Sequence, residues 1–139
     1  MVPQCKKSKK YAYISAGITS AIVFGANTGG IVPLNNILGK SDDSLFSIND
    51  TGEIVCNFDG WVSINGSINF TYLNENNYAY IYKNEEKITN VWGKLPIVTT
   101  NFMMPISAGD KISLRYYSTE GNKVGNATNQ TFFNVVKIS

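Results

Sequence analysis

The chain has 139 residues, of which 43% are hydrophobic and 12% aromatic, and only 16% are charged, against about 25% in an average globular domain. This length is sufficient for one domain that buries a substantial core without disulfide cross-links. Histidine is absent, which excludes Ser-His-Asp and Cys-His catalytic systems and histidine-ligated zinc sites.

The formal net charge of +2 is unevenly distributed along the chain. Four of the twelve basic residues are lysines in the first ten positions, where there is no acidic residue. The rest of the chain has eight basic and ten acidic side chains, and is therefore slightly acidic. We predict a basic N-terminal arm at 1–10 and a single domain at 11–139. The arm lysines are Lys6, Lys7, Lys9 and Lys10.

The apolar segment after the arm has the general layout of a secretory signal, but it includes two tyrosines and no leucine. It also lacks a small-x-small cleavage site, so we expect no cleaved signal. Nothing elsewhere approaches the ~20 apolar residues of a membrane span, and we expect no membrane partner. Of the two cysteines, Cys5 and Cys56, we expect Cys56 to be a free, buried thiol.

Short extended segments separated by turn residues follow one another along the whole domain. Strands are predicted at 11–16, 19–24, 45–48, 53–58, 62–72, 78–83, 88–92, 97–104, 111–117 and 131–138, with a proline-marked extended segment at 31–38. The segment 62–72 alternates most clearly, with Val62, Ile64, Ile68, Phe70 and Tyr72 on one face, interrupted by Gly66. About ten such strands and no helix predict an all-β, antiparallel jelly-roll sandwich.

Two predicted strands have apolar side chains on both faces. In 131–138, Phe132, Val136 and Ile138 lie on one side, and Phe133 and Val135 on the other. In 78–82, three tyrosines lie opposite Ala79 and Ile81. Because a sandwich strand has one core-facing side, the second apolar face needs another cover. A subunit interface is the simplest cover, and a loop lying over the face is the alternative.

Several spaced motifs resemble the complement globular-head and tumour-necrosis-factor-like jelly rolls. The stretch IVPLNNILGK, followed by TGEIVCNFDGWVSINGSINFTY, is similar to the central motif of that family. The matching positions are Thr51, Gly52, Ile54, Cys56, Gly60, Val62 and Ile64. Further on, PISAGDKISLRYY resembles the L-x-x-G-D-x-V-x-L strand of the family, and TFFNVVKIS resembles its closing strand. Leu34, Val62 and Ile64 depart from the aromatic residues that are usual there.

The resemblance implies a ten-stranded jelly roll that forms a threefold homotrimer and presents a rigid surface to a partner, without enzymatic activity or cofactor. In that family the first and last strands line the trimer axis. Small free-standing versions with a short arm resemble structural proteins of bacteriophages. The predicted trimer-interface residues are Tyr11, Tyr13, Tyr78, Tyr80, Tyr82, Phe133 and Val135.

Acidic residues are paired at Asp42-Asp43 and Glu85-Glu86, both in predicted turns, where such pairs more often serve solubility than catalysis. We therefore expect no enzyme. Asp42, Asp43 and Asp50 leave a calcium site as an alternative, because clustered oxygen ligands suit that ion. The spacing does not match an EF-hand, and we predict no metal.

The basic arm is the most distinctive feature of the sequence. It lacks interleaved aromatic residues, so we expect it to anchor the protein to an acidic protein surface rather than to nucleic acid. A solubilising tail is the alternative. Trp61 and Trp92 either contact glycans by stacking or pack at an interface.

The sequence thus predicts a non-enzymatic virion protein, a capsid decoration or head-fibre protein of a bacteriophage, assembled in the bacterial host cytoplasm. One alternative is a receptor-binding tip domain that recognises host surface carbohydrate. Another is an adhesive trimer on an extracellular or spore surface.

Overall fold

The computed structural model describes residues 11–41, 44–72, 76–93 and 97–139. Their regular structure consists of thirteen β-strands, and these residues contain no helix that is long and apolar enough to cross a membrane. The strands are β1 Tyr13–Gly17, β2 Ile22–Phe24, β3 Thr28–Ile31, β4 Asn36–Lys40, β5 Phe46–Ile48, β6 Ile54–Cys56, β7 Gly60–Asn69, β8 Asn77–Lys83, β9 Glu86–Gly93, β10 Ile97–Ile106, β11 Asp110–Ser118, β12 Asn122–Val124 and β13 Phe132–Lys137. The all-β prediction is confirmed.

The strands form two antiparallel sheets. In the first sheet the order is β10-β7-β13-β1-β4, and in the second it is β5-β6-β11-β8-β9, with β3 also paired to β11. Strands β2 and β12 form a separate two-stranded ribbon. Buried residues of both sheets, among them Val135 in the first and Leu114 in the second, belong to one hydrophobic core. Each sheet therefore has one core-facing side and one outer face.

The predicted extended segment at 31–38 is divided between two strands. Strand β3 ends at Ile31 and β4 begins at Asn36, with Pro33 between them. Proline has no N–H group for a strand ladder, which explains the interruption. The three-residue strand β12 was not predicted, because it is too short to show alternation.

Strand β7 has the side-chain alternation that the sequence predicts. Val62, Ile64 and Ile68 are buried in the core. Gly66 occupies a core-facing position without a side chain, and a Cβ atom there would lie 2.9 Å from Leu114 Cδ1 and 3.6 Å from Phe133 Cδ2. Side chains from both sheets thus fill the space at Gly66, which explains the gap in the apolar pattern.

The turn at 49–52 joins β5 to β6, and Cys56 ends β6. The turn is held by Asn49, whose Oδ1 accepts a hydrogen bond from the backbone N–H of Glu53 at 2.9 Å. The Asn49 amide in turn donates to Glu53 Oε1 at 3.2 Å. Cys56 is a free thiol with no exposed surface, as predicted. Burial, followed by the negative charge of Asp110, raises its pKa to about 12.

Candidate interaction surfaces

The outer face of the first sheet has an apolar end. Strand pairing places Met103, Ser63, Val136 and Tyr13 in one row across β10, β7, β13 and β1. The next row contains Pro105, Trp61, Ile138 and Tyr11, since the Ile138 N–H donates to Trp61 O and the Lys137 N–H to Ala12 O. Met103 is 60% exposed and Trp61 47%. Large apolar side chains from four neighbouring strands therefore form one exposed patch.

A row of amide and hydroxyl groups borders this apolar end. It runs through Asn101, Asn65, Asn134 and Ser15 on the same four strands. Within the row, the Asn65 amide donates to Asn101 Oδ1, and the Ser15 hydroxyl donates to Asn134 Oδ1 at 2.5 Å. These bonds fix the side chains in pairs across the sheet and leave further amide groups for an external partner.

The structure corrects two of the predicted interface residues. Phe133 and Val135 have no exposed surface and belong to the core. The outward-facing residues of β13 are Phe132, Asn134 and Val136, because successive side chains point to opposite faces of a strand. Both faces of this strand are apolar in the sequence, so the alternation alone did not say which of them is buried.

Of the other predicted interface residues, Tyr11 and Tyr13 lie on the outer face of the first sheet and are 65% and 40% exposed. Tyr78, Tyr80 and Tyr82 lie in β8, on the outer face of the second sheet, while Ala79 and Ile81 are buried beneath them. The predicted residues therefore do not form one interface but are divided between the two opposite faces of the sandwich.

The three tyrosines of β8 form a cluster with two residues of β11, which we call the tyrosine surface. Its members are Tyr78, Tyr80, Tyr82, Arg115 and Tyr117. The rings of Tyr78 and Tyr80 are nearly parallel, with centroids 5.9 Å apart, and the Tyr117 ring meets that of Tyr78 edge-on at 5.9 Å. The Tyr80 and Tyr82 rings are perpendicular at 6.3 Å. Such ring pairs hold one another in place.

Two cations lie over these rings. The guanidinium carbon of Arg115 is 3.9 Å from the centre of the Tyr82 ring, and the Lys87 ammonium is 5.0 Å from that of Tyr80. Arg115 Nε donates to Ser113 Oγ at 3.0 Å. Its Nη2 atom is buried and has no hydrogen-bond partner among the described residues, and Glu85 Oε2 is 3.6 Å from it.

The clustering of the phenols affects their acidity. The pKa of Tyr80 is raised above its ordinary value, first by burial and then by the neighbouring phenols of Tyr78, Tyr82 and Tyr117. Tyr80 is thus a neutral hydroxyl at physiological pH, able both to donate and to accept a hydrogen bond.

A surface depression of about 270 Å³ lies within the tyrosine surface. Its lining residues are Gly29, Gly30, Tyr80, Tyr82, Arg115, Tyr116 and Tyr117. A Cβ atom at Gly29 would lie 2.3 Å from the backbone oxygen of Tyr116 and 3.0 Å from Tyr117 Cδ2, so no side chain fits there. The glycines of β3 therefore lie in close contact with β11 at one side of the depression.

A second depression, of about 430 Å³, lies beside the turn at 49–52 and includes Asp50 in its lining. The described residues contain no group of three or more acidic or cysteine side chains that could hold a metal ion. Asp42 and Asp43, which the calcium alternative required, lie outside the described residues, as do the arm lysines Lys6, Lys7, Lys9 and Lys10 and the side chain of Trp92.

The sandwich is similar to several solved structures. Eiger TNF from S. frugiperda superimposes with a TM-score of 0.72 at 14% identity, over 93% of this chain and 92% of that one. Murine APRIL gives a TM-score of 0.77 at 10% identity, over 93% and 100%. Rabbit GITRL gives 0.63 at 18% identity, over 92% and 94%. The fold is a tumour-necrosis-factor-like jelly roll.

These comparisons confirm the fold that the sequence motifs indicated. At identities below 20% they establish the fold and not the biochemical role. The chain matches no known protein-family description, and no curated protein is significantly similar to it in sequence.

Proposed function

We propose that this chain is a non-enzymatic, homotrimeric structural protein of a bacteriophage virion, a capsid decoration or head-fibre protein that is anchored through residues 1–10. The observation on which this proposal rests is the outer face of the first sheet. Monomeric soluble proteins rarely expose contiguous apolar patches of large side chains, and such patches usually mark interaction sites.

A second copy of the chain is the partner that best fits this face. Strands β1 and β13 are adjacent in the middle of the sheet, and the sequence resembles a family in which the first and last strands line a threefold axis. The apolar end supplies the area that association buries, and the row of asparagines supplies directional hydrogen bonds that fix the orientation of the copies.

The position of Tyr11 connects this assembly to the arm. Tyr11 lies beside Ile138 in the last row of the apolar end, so the chain leaves the domain at the edge of the proposed interface. Three arms would therefore leave the trimer close together, with twelve lysines among them. Such a concentration of positive charge suits attachment to an acidic capsid surface.

Light scattering coupled to size exclusion tests the trimer. We expect the wild-type chain to have three times the 15.3 kDa mass of the protomer and the Val136→Glu variant to be a monomer, because an unpaired carboxylate buried in an interface costs several kcal/mol. Val23→Glu is the matched control, since Val23 is 73% exposed but lies on the β2–β12 ribbon. A wild-type monomer at micromolar concentration, or a trimeric Val136→Glu variant, would contradict the proposal.

Particle incorporation tests the anchor. Replacing Lys6, Lys7, Lys9 and Lys10 together by alanine should abolish co-sedimentation with phage particles, and raising the salt concentration should weaken that of the wild type. The variant must remain a trimer for the result to count. Undiminished incorporation of the four-alanine variant would show that the charge of the arm is not the anchor.

The alternative of a receptor-binding tip domain that recognises host carbohydrate is favoured by one observation, the tyrosine surface. Its half-buried tyrosines combine a flat apolar ring with a polar hydroxyl, as carbohydrate recognition requires. On this alternative the first sheet still assembles the trimer, while the outer face of the second sheet contacts the host. Loss of host-cell attachment, with particle incorporation intact, would distinguish it from a purely structural role.

A further inference from the structure

The tyrosine surface is rigid before any ligand arrives. Its side chains come from β8 and β11, which are neighbours inside the second sheet rather than at its edge. Contacts between their rings hold Tyr78, Tyr80 and Tyr82 in fixed orientations. A site built on strands with mutually supported side chains loses little conformational freedom on binding, which favours recognition of a small ligand.

The depression beside the rings limits the size of that ligand. Its volume of about 270 Å³ is just below the ~300 Å³ at which pockets for drug-sized molecules begin. Tyr80 and Tyr82 line it together with the two glycines of β3. The space suits a single ring that is apolar on one side and polar around its rim.

Arg115 adds a requirement for negative charge. Its Nη2 atom is buried without a hydrogen-bond acceptor among the described residues, although guanidinium groups bind carboxylates strongly and often through two bonds. Glu85 does not fill this role, since its side chain is 86% exposed and its oxygen is beyond hydrogen-bond distance at 3.6 Å. A carboxylate that replaced Glu85 at a shorter distance would satisfy Arg115, with Lys87 nearby as a second cation.

The surroundings disfavour a nucleic acid, which could also stack on aromatic side chains. Glu85, in the turn between β8 and β9, has a carboxylate oxygen 3.6 Å from Arg115 and repels a polymer that has a negative charge on every unit. The surface also has two cations, Arg115 and Lys87, over its rings rather than a basic groove. One carboxylate on an otherwise neutral, hydroxyl-rich ring satisfies both observations.

We propose that the tyrosine surface binds a carboxylated carbohydrate, with the sugar ring against Tyr80 and Tyr82 and the carboxylate paired with Arg115. The inference deepens the alternative function given above and depends on neither the trimer nor the arm. The phenol hydroxyls contribute hydrogen bonds to the sugar hydroxyls, and the ring faces contact its C–H groups.

Calorimetric titration of the full-length chain tests the proposal with three probes: 3′-sialyllactose, a glucuronate-containing trisaccharide and neutral lactose. We expect the wild type to bind at least one acidic probe roughly ten- to hundredfold more tightly than lactose, the factor that a charge-assisted hydrogen bond provides. The two acidic probes distinguish a sialic acid from a uronic acid as the source of the carboxylate.

Three variants identify the residues involved. Arg115→Gln should remove the preference for acidic probes. Tyr80→Ala should weaken the binding of every probe by roughly threefold to tenfold. Glu85→Gln should strengthen the binding of the acidic probes alone. Lys123→Gln and Tyr72→Ala are matched controls outside the surface, on β12 and beyond β7. If Arg115→Gln fails to fold by circular dichroism, Glu85→Gln decides, because its side chain is exposed and its replacement leaves the rings intact.

The proposal is overturned if the wild type binds none of the probes, if lactose binds as tightly as both acidic probes, or if Glu85→Gln and Tyr80→Ala both leave binding unchanged. Loss of binding in Trp61→Ala with full binding in Tyr80→Ala would place the sugar on the other sheet and also overturn it. Absence of sugar binding by a trimeric wild type leaves the structural role intact. Sugar binding by the monomeric Val136→Glu variant supports the site while separating it from assembly.

Discussion

Phe132 and Phe133 are adjacent and chemically identical, yet the structure gives them opposite surroundings. Phe133 is fully buried in the core, whereas Phe132 is half-buried on the outer face of the first sheet. Replacing each by alanine in turn separates the stability of the protomer from the stability of the assembly. We expect the two variants to differ both in the size of the stability loss and in how the melting temperature depends on protein concentration.

The stability loss expected for Phe133→Ala follows from the neighbours of this side chain. It faces Gly66 in the strand register, and Gly66 has no side chain that can move into the vacated space. Phe133→Ala should therefore leave a cavity and lower the free energy of unfolding by about 3–5 kcal/mol, a large part of the ~5–15 kcal/mol of a typical domain. At about 2–4 °C per kcal/mol, the melting temperature should fall by roughly 6–20 °C.

Phe132→Ala removes a ring that is already partly in water. Its effect on the isolated protomer should be about 1 kcal/mol, since full burial of such a side chain is worth roughly 1.5–3 kcal/mol. In a trimer that covers the outer face, the same variant also weakens association, so it should dissociate at concentrations at which the wild type is still a trimer. Its melting temperature should then rise less steeply with protein concentration than that of the wild type. Phe133→Ala should keep the concentration dependence of the wild type.

The assay is thermal unfolding by circular dichroism at two protein concentrations a hundredfold apart, with the mass of each sample measured by light scattering. Equal effects of the two variants would refute the assignment of faces in β13. A larger loss in Phe132→Ala than in Phe133→Ala at low concentration, where the protomers are separate, would show that the register is displaced by one residue.

Two further predictions concern the core. Gly66→Ala should lower the urea midpoint by the equivalent of about 1–3 kcal/mol with an unchanged m-value, because its Cβ would lie 2.9 Å from Leu114 Cδ1. Adding Leu114→Val should recover part of the loss. An unchanged or higher midpoint for Gly66→Ala would contradict the close packing. In a Cys5→Ser background, Cys56 should resist a thiolate-selective reagent at pH 8 until the protein unfolds. Rapid labelling of the native state would refute the burial of Cys56. Since its pKa rises from 9.0 to about 12 on folding, its contribution to stability is complete below pH 9 and is lost as the pH rises toward 12.

The alternation in the sequence predicts which side chains share a face but not which face is covered. In β7 the polar face is unmistakable, and Val62, Ile64 and Ile68 are buried as predicted. In β13 both faces are apolar, and the interface was assigned to the side that the structure places in the core. The decisive fact is the pairing of Phe133 with Gly66, which is a property of register between distant strands.

The end of β7 shows a second limit of the same kind. Tyr72 continues the alternation in the sequence, but it is 52% exposed. Strand β7 ends at Asn69, and within the described range up to Tyr72 only Phe70 makes a further bridge, to Val124. The bridging partner lies in the short strand β12, which local patterns did not reveal. The end of a strand thus depends on the length of its neighbour and not on its own residues alone.

Only part of the tyrosine surface could be predicted from the sequence. Three tyrosines at alternate positions in β8 are visible in the sequence, and their opposition to Ala79 and Ile81 is confirmed. The placement of Arg115 beside Tyr80 depends on the pairing of β8 with β11. The spacing of these residues in the sequence therefore could not predict that the guanidinium lies next to the rings. The outer face of the first sheet, in contrast, offers apolar groups and amides without a cation in its central rows. Because the two faces point away from each other, an assembly through the first sheet leaves the second available to a ligand, and the two roles do not compete for the same side chains.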